Sequence, residues 1–342
     1  MAYTPYNGGE LPNLINVTKR LDPDGSIASI AELLTQANPI MEDIPLVEGN
    51  LPTGHRTTIR SDTPTPTWRK LNYGVRPTKS TTSQVDDSIG MLEDFAEVDK
   101  DLAMLNGNTA EFRMSEDKPH IEGMSNTMAS TLFYGDTDTN PERFLGLAPR
   151  YDTLALATKP SAVQPSTTYL PNVIDFGGSA GDMTSLWYIV WGEDTVHGIF
   201  PKGSTAGLQM NDLGEVTLTD NDGGRFRGFQ SHYQWKMGMC IRDWRYIVRV
   251  ANIDLAQLDD ATHQKQLYAS MIKAMHAVPA GGRGRGVFYC GAAVAAMLDL
   301  AAVEKTNAAL GMTEVFGQQI MSFRGRPIRS CDGILETEAR IV

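Results

Sequence analysis

LPTGHRTTIRSDTPTPTWRKLNYGVRPTKSTTSQV (residues 51–85) runs without a break into DDSIGMLEDFAEVDKD (residues 86–101). The first segment carries Arg56, Arg60, Arg69, Lys70, Arg76 and Lys79 against one acid, Asp62. The second carries Asp86, Asp87, Glu93, Asp94, Glu97, Asp99 and Asp101 against one base, Lys100. Pro52, Pro64, Pro66 and Pro77 exclude a helix from the first segment. Its Thr57, Thr58, Ile59, Thr67, Trp68, Thr81 and Thr82 favour extended backbone. Apolar residues are too few for a core of its own, so the expectation is a long hairpin arm. About 15 residues per side, at roughly 3.3 Å each, reach on the order of 50 Å. A positive arm joined to a negative block suits copies that bind one another, the arm of one lying on the block of the next. That points to the building block of a larger assembly and away from a solitary enzyme.

Outward from the arm, the pattern is α+β. Upstream, Pro23, Asp24 and Gly25 form a turn and Ser26 is an N-cap. Ile27, Ile30 and Leu34 then share a helical face, in a helix that must stop before Pro39. Downstream, a helix is expected over Thr109–Tyr134, with Ile121, Met124, Met128 and Leu132 as its apolar stripe and Gly135 as its stop. Pro119 should kink it or mark a start near Ser115. Trp187 to Trp191 reads as a strand buried on both faces. The turn from Asp220 to Gly224 joins two strands, the second alternating Phe229, Tyr233, Trp235, Met237 and Met239 with polar residues. Trp244, Tyr246, Val248 and Val250 alternate with Arg245 and Arg249, which predicts another half-buried strand. Further on come a helix capped by Asp259 or Asp260, a glycine–arginine loop at 281–286, a strand from Val287 to Cys290, and an alanine-rich helix to about Leu310. Strands at 320–323 and 327–330 flank a turn at Arg324, Gly325 and Arg326.

With 342 residues the chain is long enough for one large domain or two ordinary ones. A net charge of −11 disfavours general affinity for nucleic acid, which clustered Lys and Arg drive. Cys240, Cys290 and Cys331 are odd in number and widely spaced, so neither a disulfide framework nor a zinc spacing follows, and a reducing cytosol is expected. The first residues lack the basic and apolar regions of a signal peptide, and the apolar stretch Gly291 to Val303 is too short to span a bilayer.

Local signatures of chemistry are weak. Gly177 to Gly181 matches G-x-S-x-G, which makes Ser179 the candidate nucleophile of an alternative reading, a cytosolic serine hydrolase. A nucleophile elbow needs a helix after the serine, and the residues that follow read as a strand, so a flexible Gly/Ser loop is the better reading. Asp260 and His263 share a helix face, but two ligands fall short of a metal site, and Asp260 is better read as a cap. His197 and His232 have no partner identifiable from sequence; each is a satisfied structural histidine or a surface residue. The loop carrying Arg283 and Arg285 fits neither a phosphate-binding nor a dinucleotide-binding motif. No catalytic residue, cofactor or metal is expected.

Four stretches resemble the major capsid proteins of tailed bacteriophages with the HK97-like fold, and more closely those of short-tailed, epsilon-fifteen-like phages. They are VEGNLPTGHRTT (47–58), EVDKDL (97–102), MASTLFYG (128–135) and TVHGIFPKG (195–203). The resemblance implies an N-terminal arm at 1–50, an extended loop at 51–90 lying on a neighbouring subunit, and a peripheral domain at 91–261 with a spine helix and long strands. An axial domain follows at 262–325, and a C-terminal strand at 326–342 returns to the peripheral domain. It further implies that Arg56, Arg60, Trp68, Arg69, Lys70, Arg76 and Lys79 meet the acids of another copy, and that Arg283 and Arg285 lie at the capsomer centre. The implied partners are the chain itself, in hexamers and pentamers of an icosahedral shell, with scaffolding, portal and cement proteins. The shell would be assembled in the host cytoplasm and would enclose double-stranded DNA, without sequence-specific binding and without a membrane. Lys70 and Lys79 have no identifiable acidic catalyst or target Asn, so no isopeptide cross-link is expected. No long N-terminal scaffolding region is seen, so a separate scaffold is expected.

Overall fold

The structure, a computed structural model, describes residues 38–105, 109–154, 171–179, 181, 183–220, 223–258, 260–279, 284–303, 310–315 and 318–342. The helix expected after Ser26 lies outside these residues. The chain forms two compact units. Among the described residues the first comprises 91–128 and 207–236, and the second comprises 38–90, 129–206 and 237–342. The expected domain boundary at 261/262 falls inside the second unit.

The second unit opens with α1 (Ile40–Asp43) and β1 (Leu46–Glu48), then β2 (Gly54–Asp62), which pairs antiparallel with the start of β3 (Thr81–Asp99). β3 continues into the first unit and ends at α2 (Lys100–Met104), whose N-cap Asp99 accepts from the Asp101 and Leu102 N–H groups. α3 (Thr109–Tyr134) follows as one helix through Pro119, which is exposed, so there is no restart at Ser115. Of its expected stripe, Met124, Met128 and Leu132 are buried and Ile121 is exposed. In the first unit Met124 packs with Ala96 of β3 and Tyr233, flanked by Leu92 and Trp235, while Phe112 packs with Val98 and Ala103.

Gly135 does stop α3, but by close packing and not by a positive φ. An added Cβ would lie 2.4 Å from the Phe144 carbonyl oxygen and 2.6 Å from that of Thr131. Gly135→Ala should therefore destabilise the subunit by about 1–3 kcal/mol, read as a lowered urea midpoint at unchanged slope.

β4 (Val173–Asp175) runs parallel to a later strand, β9. β5 (Met183–Trp191) is buried at every residue, as its apolar run predicts. It turns into β6 (Val196–Phe200), which pairs parallel with β1. β7 (Leu208–Thr219) and β8 (Arg225–Ile241) make the expected antiparallel hairpin, and the end of β8 pairs with β6. β9 (Ile247–Asp254) lies antiparallel to β5. The strand expected from Trp244 begins only at Ile247, because Asp243 caps a 3₁₀ turn over Trp244–Tyr246. All eight β9 residues are buried, so Arg249 is inside and not on a polar face.

α4 (Ala261–Ala277) is capped by Asp260 and buries Leu267 and Met271. β10 (Arg285–Cys290) pairs with β5 on the side away from β9. That flanking makes β5 central in its sheet. α5 (Ala292–Val303) ends before Leu310, which instead opens β11 (Leu310–Val315). β11 pairs antiparallel with β12 (Gln318–Phe323), which turns into β13 (Arg326–Ser330). Arg324 and Gly325, at φ 49° and 76°, supply the two positive dihedrals of a primed hairpin turn.

Candidate assembly surface and buried side-chain clusters

The β2–β3 ladder pairs Gly54 with Ser88 and runs out to Asp62 opposite Thr81, with a register shift after Arg60. The expected hairpin of 15 residues per side is shorter in its paired part, and residues 63–80 have no regular structure apart from a turn. Pro64, Pro66 and Pro77 cannot donate to a ladder. The turn is closed by the Tyr73 N–H donating to the Lys70 carbonyl at 3.2 Å, with Asn72 at φ 65°. Every residue from 62 to 79 is exposed. Arg69, Lys70, Arg76 and Lys79 are therefore presented to solvent, with Trp68 at 101 % relative exposure and Leu71, Tyr73 and Val75 beside it.

Arg60 is also exposed, while Arg56 is tied to its own chain. Arg56 faces Asp86 directly across the ladder and donates from Nε and Nη2 to the two carboxylate oxygens, each at 2.6 Å. That hydrogen bond is the largest effect holding the Asp86 carboxyl below its ordinary range. Strand alternation turns Asp87 the other way, into the second unit, where the Arg150 guanidinium donates to its Oδ1 at 2.8 Å.

In the first unit β8 and α3 brace the other acids. Gln234 donates to Glu93, with His232 at 3.6 Å; Gln230 donates to Glu97 at 2.6 Å; His120 Nδ1 lies 2.6 Å from Asp94. Asp99 is the cap of α2 and Asp101 is exposed in its first turn. The acidic block is thus a strip held in place by the chain's own polar side chains, with Glu93 and Asp101 exposed and Asp94, Glu97 and Asp99 half-buried.

Arg283 lies outside the described residues. Arg285 does not sit at a loop tip: it opens β10 and pairs with Asp43 at 3.0 Å. Asp43 also forms an ion pair with Arg329 at 3.2 Å and accepts from the Tyr289 hydroxyl at 2.6 Å. A second buried network joins Arg249 to Glu338 at 2.8 Å, with Tyr134 and Ser185 donating to the same carboxylate. Sequence gave no sign of it, because Arg249 and Glu338 are 89 positions apart.

Ser179 is exposed, between strands β4 and β5, and the described residues that follow it lead into β5 and not into the helix a nucleophile elbow requires. His263 lies 3.1 Å from Asp260 in the first turn of α4, a capping arrangement. Cys240, Cys290 and Cys331 are buried free thiols, and burial pushes them up to about 12, 12 and 11. Since the thiolate is the reactive species, the folded, metal-free subunit should resist iodoacetamide at pH 8. Complete labelling, read by mass spectrometry, should appear only in denaturant.

Comparison with known proteins fits this arrangement. The family model described as major capsid protein GP7 matches residues 22–342. No curated protein sequence matches. Among solved structures, a chain of bacteriophage Epsilon15 is 33% identical, with a TM-score of 0.73 over 100% of this chain and 99% of that one. The capsid of bacteriophage JBD30 is 8% identical, with a TM-score of 0.52 over 88% and 93% of the two chains, a likeness of fold alone.

Proposed function

We propose that the chain, which belongs to the GP7 family of major capsid proteins and is a structural, non-enzymatic subunit of a virion capsid, closes with its copies an icosahedral shell around double-stranded DNA. The observation that carries the proposal is the loop of residues 63–80, which exposes Trp68, Leu71, Tyr73 and Val75 interleaved with Arg69, Lys70, Arg76 and Lys79. Aromatic and arginine side chains on an otherwise unsupported loop have the composition of interface hot spots. Fully burying one such apolar side chain contributes about 1.5–3 kcal/mol. Exposed ion pairs contribute about 0–1 kcal/mol each. The apolar residues therefore supply affinity, and the charges set register and exclude wrong partners.

The receiving surface is the strip of Glu93, Asp94, Glu97, Asp99 and Asp101 on the next copy. Arg56, Asp86 and Asp87 support the hairpin from within. Arg60 extends the basic surface toward the loop, and Arg285 orders the start of β10 within its own subunit. In this reading α3 is the spine of a peripheral domain, α4 and β10 belong to an axial domain, and the subunits form hexamers and pentamers. Scaffolding, portal and cement proteins complete the particle, which assembles in the host cytoplasm. A net charge of −11 suits a container for DNA, since a basic lining would bind phosphate and impede loading.

Negative-stain microscopy of the expressed protein, alone and with a scaffold, tests this. Uniform icosahedral particles are expected. A dispersed small oligomer under every condition would overturn it.

A further inference from the structure

Beneath the base of the arm, in the second unit, lies a cluster that shell formation does not explain. His55, His197 and Cys240 are 7 %, 1 % and 0 % exposed. One ligand atom from each lies within 4.8 Å of the other two. Their placement follows from strand register. His197 of β6 is paired with Cys240 of β8, and His55 of β2 is paired with Asp87 of β3. Directly paired residues point to the same face, with Cβ atoms about 4.5–5.5 Å apart. The strands neighbour one another in the order β6, β8, β3, β2, and β2 also touches β6. The two pairs therefore face each other across a closed curl, with the two imidazole centroids 6.0 Å apart. Gly238 lets the curl close: a Cβ there would lie 2.4 Å from the Ser88 carbonyl oxygen of β3.

The polar atoms of this cluster are incompletely used. Among the described residues neither ring nitrogen of His197 makes a hydrogen bond of good geometry, and burial pushes the ring down to about 4 against a smaller opposing effect of the Gly192 carbonyl. Asp87 gives Oδ1 to Arg150, while its buried Oδ2 has no hydrogen-bond partner among the described residues; after burial, the nearby carboxylate also opposes ionisation of the Cys240 thiol. Buried polar atoms without partners are rare and costly, and the His197 ring, which has none among the described residues, shares one cluster with His55 and Cys240, an arrangement that calls for a ligand. The Thr57 hydroxyl lies 3.3 Å from the Cys240 sulfur, where it can hydrogen-bond a thiolate. His55 Nδ1 takes one long contact, from the Asn50 N–H at 3.3 Å.

We propose that His55, His197 and Cys240, with Asp87 as the fourth ligand, form a buried structural site for a divalent transition metal of the zinc class. Two imidazoles, a thiolate and a carboxylate are the borderline donors that such an ion takes in tetrahedral geometry. Bond lengths of about 2.0–2.3 Å require ligand atoms roughly 3.3–3.8 Å apart, so His55, His197 and Cys240 must draw in by about 1 Å, and Asp87, which lies outside their 4.8 Å group, must swing in further. Thiolate and carboxylate together balance the ion's charge. That matters because burial, and after it Arg242, disfavours added positive charge on both histidines. His55 and Thr57 also line an open cleft of about 830 Å³, which gives the ion a way in. The bound metal would join β2, β3, β6 and β8 at the root of the arm.

The test uses the unassembled full-length subunit, so its readouts do not depend on shell formation. After exposure to zinc and gel filtration, elemental analysis should find about one zinc per chain. The cobalt(II) form should show a thiolate-to-cobalt charge-transfer band. Cys240→Ala should remove that band and lower zinc affinity at least about tenfold, while Cys290→Ala and Cys331→Ala leave both unchanged. Because Cys240→Ala could fail to fold, the wild-type melting temperature supplies a second reading: zinc should raise it, a chelator should reverse the rise, and magnesium should have no effect. Less than about half a zinc per chain would overturn the proposal, given the single four-ligand site it requires. Undiminished binding by folded Cys240→Ala, or an equal response to magnesium, would overturn it as well.

Discussion

Arg249→Leu will lower the unfolding free energy of the subunit by about 3–5 kcal/mol, because it leaves a carboxylate buried without its counter-charge. Arg249 and Glu338 are both 5 % exposed at the side chain. The guanidinium spends its donors inside the protein: Nη2 on Glu338 at 2.8 Å, Nε on the Ser185 hydroxyl at 2.9 Å and Nη1 on the Tyr151 carbonyl at 2.9 Å. It also lies 4.9 Å from the centre of the Trp187 ring, which adds a cation–π contact. Glu338 is held in turn by its own N–H, which donates to the Met183 carbonyl at 2.7 Å. The pair thus fastens the C-terminal segment to β5 and β9. Removing either partner strands the other, whereas Arg249→Leu combined with Glu338→Leu should be milder than the sum of the single changes by at least about 1 kcal/mol. Urea denaturation of the unassembled protein measures all three. A loss under about 1 kcal/mol for Arg249→Leu would show that the network carries little of the stability.

Arg69→Glu, Lys70→Glu and Arg76→Glu, made together, will abolish shell formation and leave the subunit folded. All three side chains are exposed on the loop of residues 63–80. Surface changes of that kind usually shift stability by no more than about 0.5 kcal/mol. In the proposed contact with the next copy they would place acid against Glu93, Asp94 and Asp101, and like charges brought together oppose docking at every repeat of the interface. Trp68→Ala tests the apolar half of the same contact and should weaken assembly without changing its salt dependence. Circular dichroism and the melting temperature establish the fold, and electron microscopy counts the particles. Normal shells from the triple variant would sink the idea of an arm lying on an acidic strip, even though the chain remains a capsid protein.

Much of the architecture was legible where local chemistry and burial agree. The apolar run of β5, the alternation in β8, the turn at Asp220, the Asp260 cap and the span of α3 all follow from periodicity and capping, which act over a few residues. The charge reversal between residues 85 and 86 was equally plain, whereas the expected long hairpin pairs only over β2 and the start of β3, because Pro64, Pro66 and Pro77 cannot donate to a ladder. Periodicity failed where a strand became covered on both faces. Arg245 and Arg249 look alike in the alternation, yet Arg245 lies half-exposed in a 3₁₀ turn beside Asp243, whereas Arg249 is buried against Glu338.

Local reading also failed where the partner was distant. Leu310 left the expected helix because β12 offered it a ladder. The acids from Asp86 to Asp99 looked free for another copy, yet much of the strip is braced by Arg56, Arg150, His120 and β8. His55, His197 and Cys240 carry no metal-binding spacing along the chain. Their convergence depends on register in two separate ladders and on a curl that brings β2 to β6. Helix, strand and turn choices are set by neighbours a few residues away, so they can be read along the chain. A buried charge or ligand cluster depends on which distant strands lie side by side, and packing settles that only after the strands exist.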